Sequence, residues 1–229
     1  MTPEYRFQNI LRSGNACIGR LVGESLRSGP GRGDGIAPPV IWSRRGMRTI
    51  ACLTAIIVAG LASGSEASAL TLTSPDIKHG GKFADEQVYK GPGWDCTGGN
   101  TSPALAWSGA PKGTKSFAIS MYDPDAPTGS GFWHWWVADI PADATSLPKG
   151  AGGGTGLPAA ALQVHNDFGT IGYGGPCPPP GKPHHYHITV YALDVEKLGV
   201  DQNTSPAVVG FNVHGHTLAK ATLTGLYGR

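Results

Sequence analysis

The sequence contains no apolar run long enough to cross a lipid bilayer. Its longest run, from Ile50 to Ala62, has about 13 residues, whereas a membrane-spanning helix needs about 20. The 4 cysteines show no spacing typical of a tetrahedral zinc site. The chain also lacks a G-x-S-x-G nucleophile elbow and both common glycine-rich phosphate motifs. These absences argue against a membrane span in the mature chain, a zinc site and the motif-defined hydrolases.

The net charge of the chain is only +2, and it is unevenly distributed. Residues 1–69 contain 8 arginines and 4 acidic residues, a net charge of +4. Residues 70–229 contain 9 lysines and 1 arginine against 12 acidic residues, a net charge of −2. A slightly acidic domain offers no basic surface for a nucleic acid, so we expect no nucleic-acid partner.

The basic N-terminal part resembles targeting sequence. Arg44, Arg45 and Arg48 precede the short apolar run, and Ala67-Ser68-Ala69 fits an A-x-A cleavage site. We interpret residues 47–69 as a secretory signal peptide that is cleaved after Ala69, which predicts a periplasmic or secreted protein. The alternative is a buried core helix.

Residues 1–46 precede Met47, where a signal peptide would naturally begin. They are rich in Gly, Arg and Ser and show no sustained hydrophobic periodicity. We interpret them as a mis-assigned or disordered N-terminal extension and place a single domain over residues 70–229, which is long enough for one core.

Two cysteines, Cys96 and Cys177, remain after the predicted cleavage. An even pair in an oxidising compartment favours a disulfide, and the alternative is two buried thiols.

The domain is rich in turn formers, with 35 Gly and 19 Pro in the whole chain, and its strand-like runs are short. Bulky, partly alternating segments predict strands over 116–122, 132–140 and 187–193 of an antiparallel sheet. Helical signals are few: residues 205–223 are predicted to contain a helix around 214–221, and short turns of helix are predicted over 142–146 and 194–198. The glycine-rich stretch 150–156 is predicted to be a flexible surface loop.

The first chemical motif is Asp123-Pro124-Asp125-Ala126-Pro127, which follows a predicted strand. Each proline fixes its own φ and restricts the residue before it, so both carboxylates are held in place. An ordinary turn would have the same composition.

A histidine, His134, lies among Trp133, Trp135 and Trp136 on the next predicted strand. Strict alternation would put His134 and Trp136 on one face of the sheet and the other two tryptophans on the opposite face. Contact with large apolar rings disfavours the charged imidazole. A core histidine bonded to a loop is the alternative to a ligand-binding one.

The second chemical motif runs from Gly172 to Pro179 and is followed by His184-His185-Tyr186. Glycines allow close backbone approach, and free N–H groups of such a turn can bind an anion. His184 and Tyr186 share one strand face, and the Tyr186 hydroxyl can donate to an anion. A plain surface turn is the alternative.

Together these segments resemble the phosphatidylethanolamine-binding protein family, also called Raf kinase inhibitor-like proteins. The resemblance rests on Asp-Pro-Asp-x-Pro with His134-Trp135, on the glycine/proline loop with His-x-Tyr, and on the segment Asn100–Trp107. Asn166-Asp167-Phe168-Gly169 and the chain end resemble the bacterial branch. His185 stands where eukaryotic relatives have Arg, and the C-terminal extension of animal members is not recognisable.

The resemblance implies a mainly β fold, an antiparallel β-sandwich with a large central sheet, a smaller second sheet and a few short peripheral helices. It also implies a non-enzymatic binding protein without a cofactor, whose small pocket accepts phosphate or a phospholipid-type headgroup. The implied ligand-binding residues are Asp123, Asp125, Pro127, His134, Gly175, Cys177, His184 and Tyr186, with the loop around Gly175 and Cys177 donating backbone N–H groups.

Three alternatives remain. A hydrolase could use Asp, His and Cys177, although no matched nucleophile and base are visible. A metal site could use His184, His185 and His187, or His214 and His216, although neighbouring strand residues point to opposite faces. A protein-interaction module, such as a kinase or protease inhibitor, would leave the pocket without a ligand.

Overall fold

The computed structural model describes residues 69–229, which form two antiparallel β-sheets and one α-helix. The larger sheet has the strand order β6-β4-β3-β7-β8, and the smaller sheet has the order β1-β2-β5. The strands are β1 (Thr71–Thr73), β2 (Leu105–Ser108), β3 (Ser116–Asp123), β4 (Phe132–Pro141), β5 (Ser146–Leu147), β6 (Leu162–Gln163), β7 (His184–Leu193) and β8 (Thr217–Tyr227). The mainly β, two-sheet prediction is confirmed. The predicted extension and signal peptide lie outside the described residues.

The main core fills the space between the two sheets. β3 contributes Phe117, Ile119 and Met121 to it, and the smaller sheet contributes Leu105 and Trp107. Every residue of β3 except Tyr122 is buried, because this strand lies at the centre of the larger sheet and is covered on both faces. A buried central strand gives the ends of the sheet a fixed geometry, on which the site depends.

A β-bulge in β4 overturns the predicted alternation around His134. Met121 pairs with Trp135 and Tyr122 pairs with Trp133, so His134 is an extra residue with no partner on β3. Such an insertion breaks the period-2 pattern. Trp133 and Trp136 therefore pack together on the outer face, with ring centroids 5.0 Å apart, whereas Trp135 belongs to the main core. His134 does not share a face with Trp136, and that expectation was wrong.

The helix lies earlier in the sequence than predicted. Helix α1 covers Pro206–His216, begins after Ser205, whose side chain accepts from the Val208 N–H, and has proline in its first turn. Residues 217–227 are not helical but form β8, which pairs along the whole of β7. Pairing with a central strand therefore outweighs the weak helical periodicity of residues 214–221.

Other local predictions also need correction. Residues 142–146 and 194–198 contain no helix. The glycine-rich stretch is not simply a flexible loop, because Ala151–Gly153 form a 3-10 turn in which Ala151 and Gly152 are buried. The Gly152 N–H donates to the Ser102 hydroxyl at 2.8 Å. Within residues 69–229, no helix has the length and apolar character that crossing a membrane requires.

Candidate functional site

A pocket of about 110 Å³ lies at one end of the larger sheet, where β3 ends, β4 begins and β7 begins. Adjacent antiparallel strands bring these three ends together, so residues distant in sequence meet. The lining consists of Trp94, Asp123, Ala126, Pro127, Thr128, Phe132, His134, Phe168, Cys177, Pro178, Pro179 and His184. Both predicted motifs thus contribute to one cavity.

The central polar pair is Asp123 with His184. The His184 Nδ1 donates to Asp123 Oδ2 at 2.7 Å, and the two side chains are only 12% and 4% exposed, respectively. The other carboxylate oxygen, Oδ1, accepts from the Asp125 N–H at 2.8 Å. Both oxygens of the buried carboxylate therefore have a protein donor, which offsets part of the cost of burying its charge.

A second acid–histidine pair lies beside the first but outside the cavity lining. Asp125 Oδ2 accepts from both the N–H and the Nδ1 of His185, each at 2.7 Å. These side chains are 41% and 55% exposed. The hydrogen bonds from His185 lower the pKa of the Asp125 carboxyl. Two successive acids thus pair with two successive histidines, and only the first pair faces the pocket.

His134 is buried and lies beside the rings of Phe132, Phe168 and Tyr186, with centroids 5.0–5.3 Å away. Burial lowers its pKa from 6.5 to about 4, although hydrogen bonds to the loop and the charge of Asp123 oppose the shift. His134 is therefore a neutral imidazole at neutral pH.

The ring nitrogen Nδ1 of His134 faces the carbonyl oxygens of Gly174 and Gly175, at 2.8 and 3.1 Å. A carbonyl only accepts hydrogen bonds, so Nδ1 carries the proton of the neutral ring.

Tyr186 is fully buried, and its ring packs against His134 and stacks on His184 with a centroid distance of 6.4 Å. Its hydroxyl is buried, has no partner within hydrogen-bond distance among the described residues, and interacts at longer range with the Asp123 carboxylate. Burial, and next the negative charge of Asp123, raise its pKa. A buried hydroxyl without a partner is costly, and because Tyr186 lies outside the cavity lining, this group supports the pocket from behind.

The glycine/proline loop contributes to the site differently from the prediction. The Gly175 N–H donates to Asn100 Oδ1 at 2.8 Å, and Asn100 also donates to the Tyr173 carbonyl. A Cβ at Gly175 would collide with the backbone of Gln87 and Val88, so only glycine fits there. This corrects the expectation that the Gly175 N–H donates to a ligand, because that group is already engaged.

One wall of the cavity is held by the Cys96–Cys177 disulfide, whose Cα atoms are 5.9 Å apart. Cys96 follows Trp94, a 43% exposed side chain that packs edge-on against Phe132 and Phe168. The Arg229 guanidinium donates to the Pro178 and Asp95 carbonyls, at 2.7 and 3.2 Å. The disulfide and the Arg229 hydrogen bonds therefore hold the segments around Cys96 and Cys177 together, and they fix the aromatic wall of the cavity.

Five of the eight predicted ligand-binding residues line the cavity directly: Asp123, Pro127, His134, Cys177 and His184. Asp125, Gly175 and Tyr186 contact these residues from outside the lining. The sequence reasoning missed Asn100, Phe168 and Trp94. The first two lie in segments that carry the family resemblance, which could have pointed to them, whereas only proximity to Cys96 marks Trp94.

The alternatives gain no support from the described part of the chain. No group of three or more His, Cys, Asp or Glu side chains within residues 69–229 could hold a metal ion. His216 pairs with Asp194 at 2.9 Å, and His187 Nδ1 lies 2.9 Å from the Thr224 hydroxyl. The histidines that the metal hypothesis would combine are therefore dispersed.

Comparisons with known proteins agree with the fold and the motifs. The family model for phosphatidylethanolamine-binding protein matches residues 73–228. The chain is 50% identical over 184 residues to the UPF0098 protein YbcL of Escherichia coli, covering 79% of this chain and 98% of that protein. It is also 50% identical over 159 residues to YbhB of the same organism, covering 69% and 99%.

Two solved structures are similar as well. The crystal structure of E. coli YbcL, described as a new member of the mammalian PEBP family, matches with a TM-score of 0.68 and 52% identity, covering 71% of this chain and 99% of that one. A putative homologue from Chlamydia trachomatis matches with a TM-score of 0.59 and 30% identity, covering 70% and 98%. On the combined evidence of motifs, fold and relatives, this chain belongs to the phosphatidylethanolamine-binding protein family.

Proposed function

We propose that the protein is a non-enzymatic binding protein whose pocket accepts phosphate or a phospholipid-type headgroup. One observation carries the proposal: a buried Asp123–His184 pair lines a small cavity. Buried polar groups with unused hydrogen-bonding capacity are typical of ligand sites.

The electrostatics of this pair suit an anion despite the carboxylate. His184 uses Nδ1 toward Asp123, so Nε2 is its remaining ring nitrogen. When the ring carries a second proton, Nε2 is also a donor. His184 then presents a directed N–H to the ligand, while the carboxylate is shielded by its own donors.

The size of the cavity limits the ligand. At about 110 Å³ it is well below the range of about 300–1,000 Å³ typical of drug-sized ligands. A phosphoryl group with a short substituent suits it, whereas acyl chains would have to remain outside. The proposal therefore concerns headgroup recognition and not lipid carriage.

The proposed location is the periplasm or the cell exterior. The predicted leader supports it, and so does the Cys96–Cys177 disulfide at the pocket wall, because such bonds persist in oxidising compartments. Mass determination of the N-terminus of the exported protein would test the cleavage site.

Calorimetric titration of the purified protein with phosphate and O-phosphorylethanolamine tests the function. We expect saturable binding that Asp123→Asn and His184→Gln weaken at least about tenfold. Asp125→Asn and His185→Gln form the matched control, because they disrupt the neighbouring pair outside the cavity. Absence of binding by the folded wild type would refute the proposal and favour a protein-interaction role. Turnover of phosphoesters, or a stoichiometric metal in the purified protein, would favour the enzymatic or metal alternative.

A further inference from the structure

His134 offers the pocket an acceptor and not a donor. Its single ring proton is on Nδ1, where the Gly174 and Gly175 carbonyls accept it. Nε2 therefore carries a lone pair, and no hydrogen bond to it is found within residues 69–229. Protonating Nε2 would place a charge among Phe132, Phe168 and Tyr186, which burial disfavours.

The groups that face His134 determine what the ligand must provide. From β3, Asp123 is a second acceptor, and its two oxygens are already bonded to His184 and Asp125. From β7, His184 lines the cavity with Nε2 as its remaining ring nitrogen, and the Tyr186 hydroxyl lies behind the lining. The loop packed against the ring adds carbonyl oxygens and the non-titrating disulfide of Cys177.

A fully deprotonated oxyanion has only acceptor atoms. Its oxygens could bond to the doubly protonated ring of His184, but an oxygen directed at His134 Nε2 would bring two lone pairs together. A hydrogen on the ligand converts that repulsion into a hydrogen bond, because an O–H donates where a bare oxygen cannot. A binding site strongly rejects an analogue that lacks one hydrogen-bonding group, because a buried polar group of the protein is then left unpaired.

We propose that the pocket selects a protonated phosphoryl group, a phosphomonoester monoanion or dihydrogen phosphate, whose P–OH donates to His134 Nε2. This inference rests on the proposed function and specifies its ligand. It predicts discrimination against sulfate and dimethyl phosphate, which carry no such hydrogen at neutral pH, and against phosphate dianions.

Calorimetry with methyl phosphate, dimethyl phosphate and sulfate between pH 6 and pH 8 tests the proposal. A phosphomonoester has a second pKa of about 6, so its monoanion falls from about half to about 1% over this range, and we expect methyl phosphate to bind about 50-fold more weakly at pH 8. Dimethyl phosphate has the same single charge without the hydrogen, and it should bind poorly throughout.

Sulfate separates the ligand proton from the titration of the protein. If a histidine cation alone governed affinity, sulfate and methyl phosphate would gain affinity in parallel as the pH falls, and this result would overturn the proposal. Equal affinity for methyl and dimethyl phosphate would also overturn it. If no phospho-ligand binds at any pH, the proposed function itself fails.

A lipid headgroup could donate a hydrogen bond to His134 Nε2 from its ammonium group instead of from a P–OH group. Glycerophosphoethanolamine has N–H donors but no P–OH at neutral pH, and glycerophosphocholine has neither. Tight, pH-independent binding of glycerophosphoethanolamine alone would assign the donor to the ammonium and contradict the P–OH proposal. Weak binding of both diesters beside tight methyl phosphate binding at pH 6 supports it.

The tautomer can be measured directly. Long-range ¹H–¹⁵N NMR spectra should show His134 as the Nδ1–H form at pH 7, and Nε2 should shift when methyl phosphate binds. His134→Gln places an amide donor near this position, so the preference for methyl phosphate over sulfate should shrink, whereas His187→Gln should leave it unchanged. An Nε2–H tautomer in the free protein would refute the inference even if the His134 variant does not fold.

Discussion

Two concave regions of the domain differ in both size and chemistry. A groove of about 600 Å³ lies between α1 and the outer face of the larger sheet, with Trp133, Trp136 and Tyr191 among its lining residues. The pocket at the strand ends has about 110 Å³. Yet the basic groups of the groove, His214 and Lys220, are exposed, whereas the acid and histidines of the small pocket are largely buried. A large cavity volume therefore shows only where the sheet is uncovered, whereas buried polar side chains indicate a functional site.

The difference follows from how each region is built. The groove exists because one helix covers only part of a five-stranded sheet, and its aromatic floor is a packing surface, with Trp136 stacked on Tyr191. The pocket exists because three strand ends meet a loop fixed by a disulfide and by the Asn100 side chain. Of the two regions, only the pocket buries an acid–histidine pair, Asp123 with His184.

Breaking the disulfide should give the largest effect on stability. Cys96→Ser with Cys177→Ser releases a loop with a sequence separation of 81 residues. The loop-entropy model assigns such a bond about 4–5 kcal/mol of unfolding free energy. Urea denaturation with and without reductant would measure it. If reductant leaves the wild-type midpoint unchanged, the cysteines are two thiols. Phospho-ligand affinity should fall as well, because the pocket wall depends on this bond. The groove does not depend on it.

Acid should destabilise the protein through His134. The pKa is about 4 in the folded protein, whereas the unfolded chain has the ordinary value of 6.5. Between these values the unfolded state binds the extra proton, so stability is complete above pH 6.5 and decreases as the pH falls toward 4. The loss should reach about 3 kcal/mol near pH 4.

The matched comparison for this effect is a groove histidine. A folded His134→Gln variant should lack this component of the pH dependence, whereas His214→Gln, an exposed substitution in the groove, should retain it. Equal pH profiles of unfolding for the wild type and His134→Gln would show that His134 is not the buried neutral group described.

Ligand binding should distinguish the two regions more directly. His184→Gln removes the ring nitrogen that we propose donates to the phosphate, and a charge-assisted hydrogen bond of this type contributes about 1.5–3 kcal/mol, so phosphate affinity should fall at least about tenfold. Trp133→Ala, which enlarges the groove, should change that affinity less than about twofold. Titration calorimetry of both variants checks this, and a larger loss in Trp133→Ala would reverse the assignment of regions.

The smallest expected effect concerns the helix above the groove. Gly210 faces the groove, where an added Cβ would meet Trp133 and Trp136 at ordinary contact distances of 3.6–4.0 Å, and Gly215 faces open space. Ala at either position should stabilise the protein by up to about 1 kcal/mol through helix propensity. Gly210→Leu should obstruct the groove without affecting phosphate binding, and Gly215→Leu is its matched control. Thermal unfolding and calorimetry measure the two effects.

The sequence predicted a strand correctly where the alternation of its side chains agrees with its pairing in the sheet. The placement of His184 and Tyr186 on one face was confirmed, because alternation along β7 is undisturbed at that point. The same rule failed in β4, where the bulge at His134 exists only through pairing with β3. The helix prediction failed similarly, because residues 217–227 pair with β7.

The sequence by itself determined the family, the two motifs and the chemical groups that meet at the pocket, because these depend on residue identity and short-range spacing. The tertiary structure alone decided which acid pairs with which histidine, that the Gly175 N–H is bonded to Asn100, and that the His134 proton is on Nδ1. Each of these contacts joins residues at least 40 positions apart. Hydrogen-bond partners at such separations are set by the packing of the sheet and loops, which local pattern does not encode.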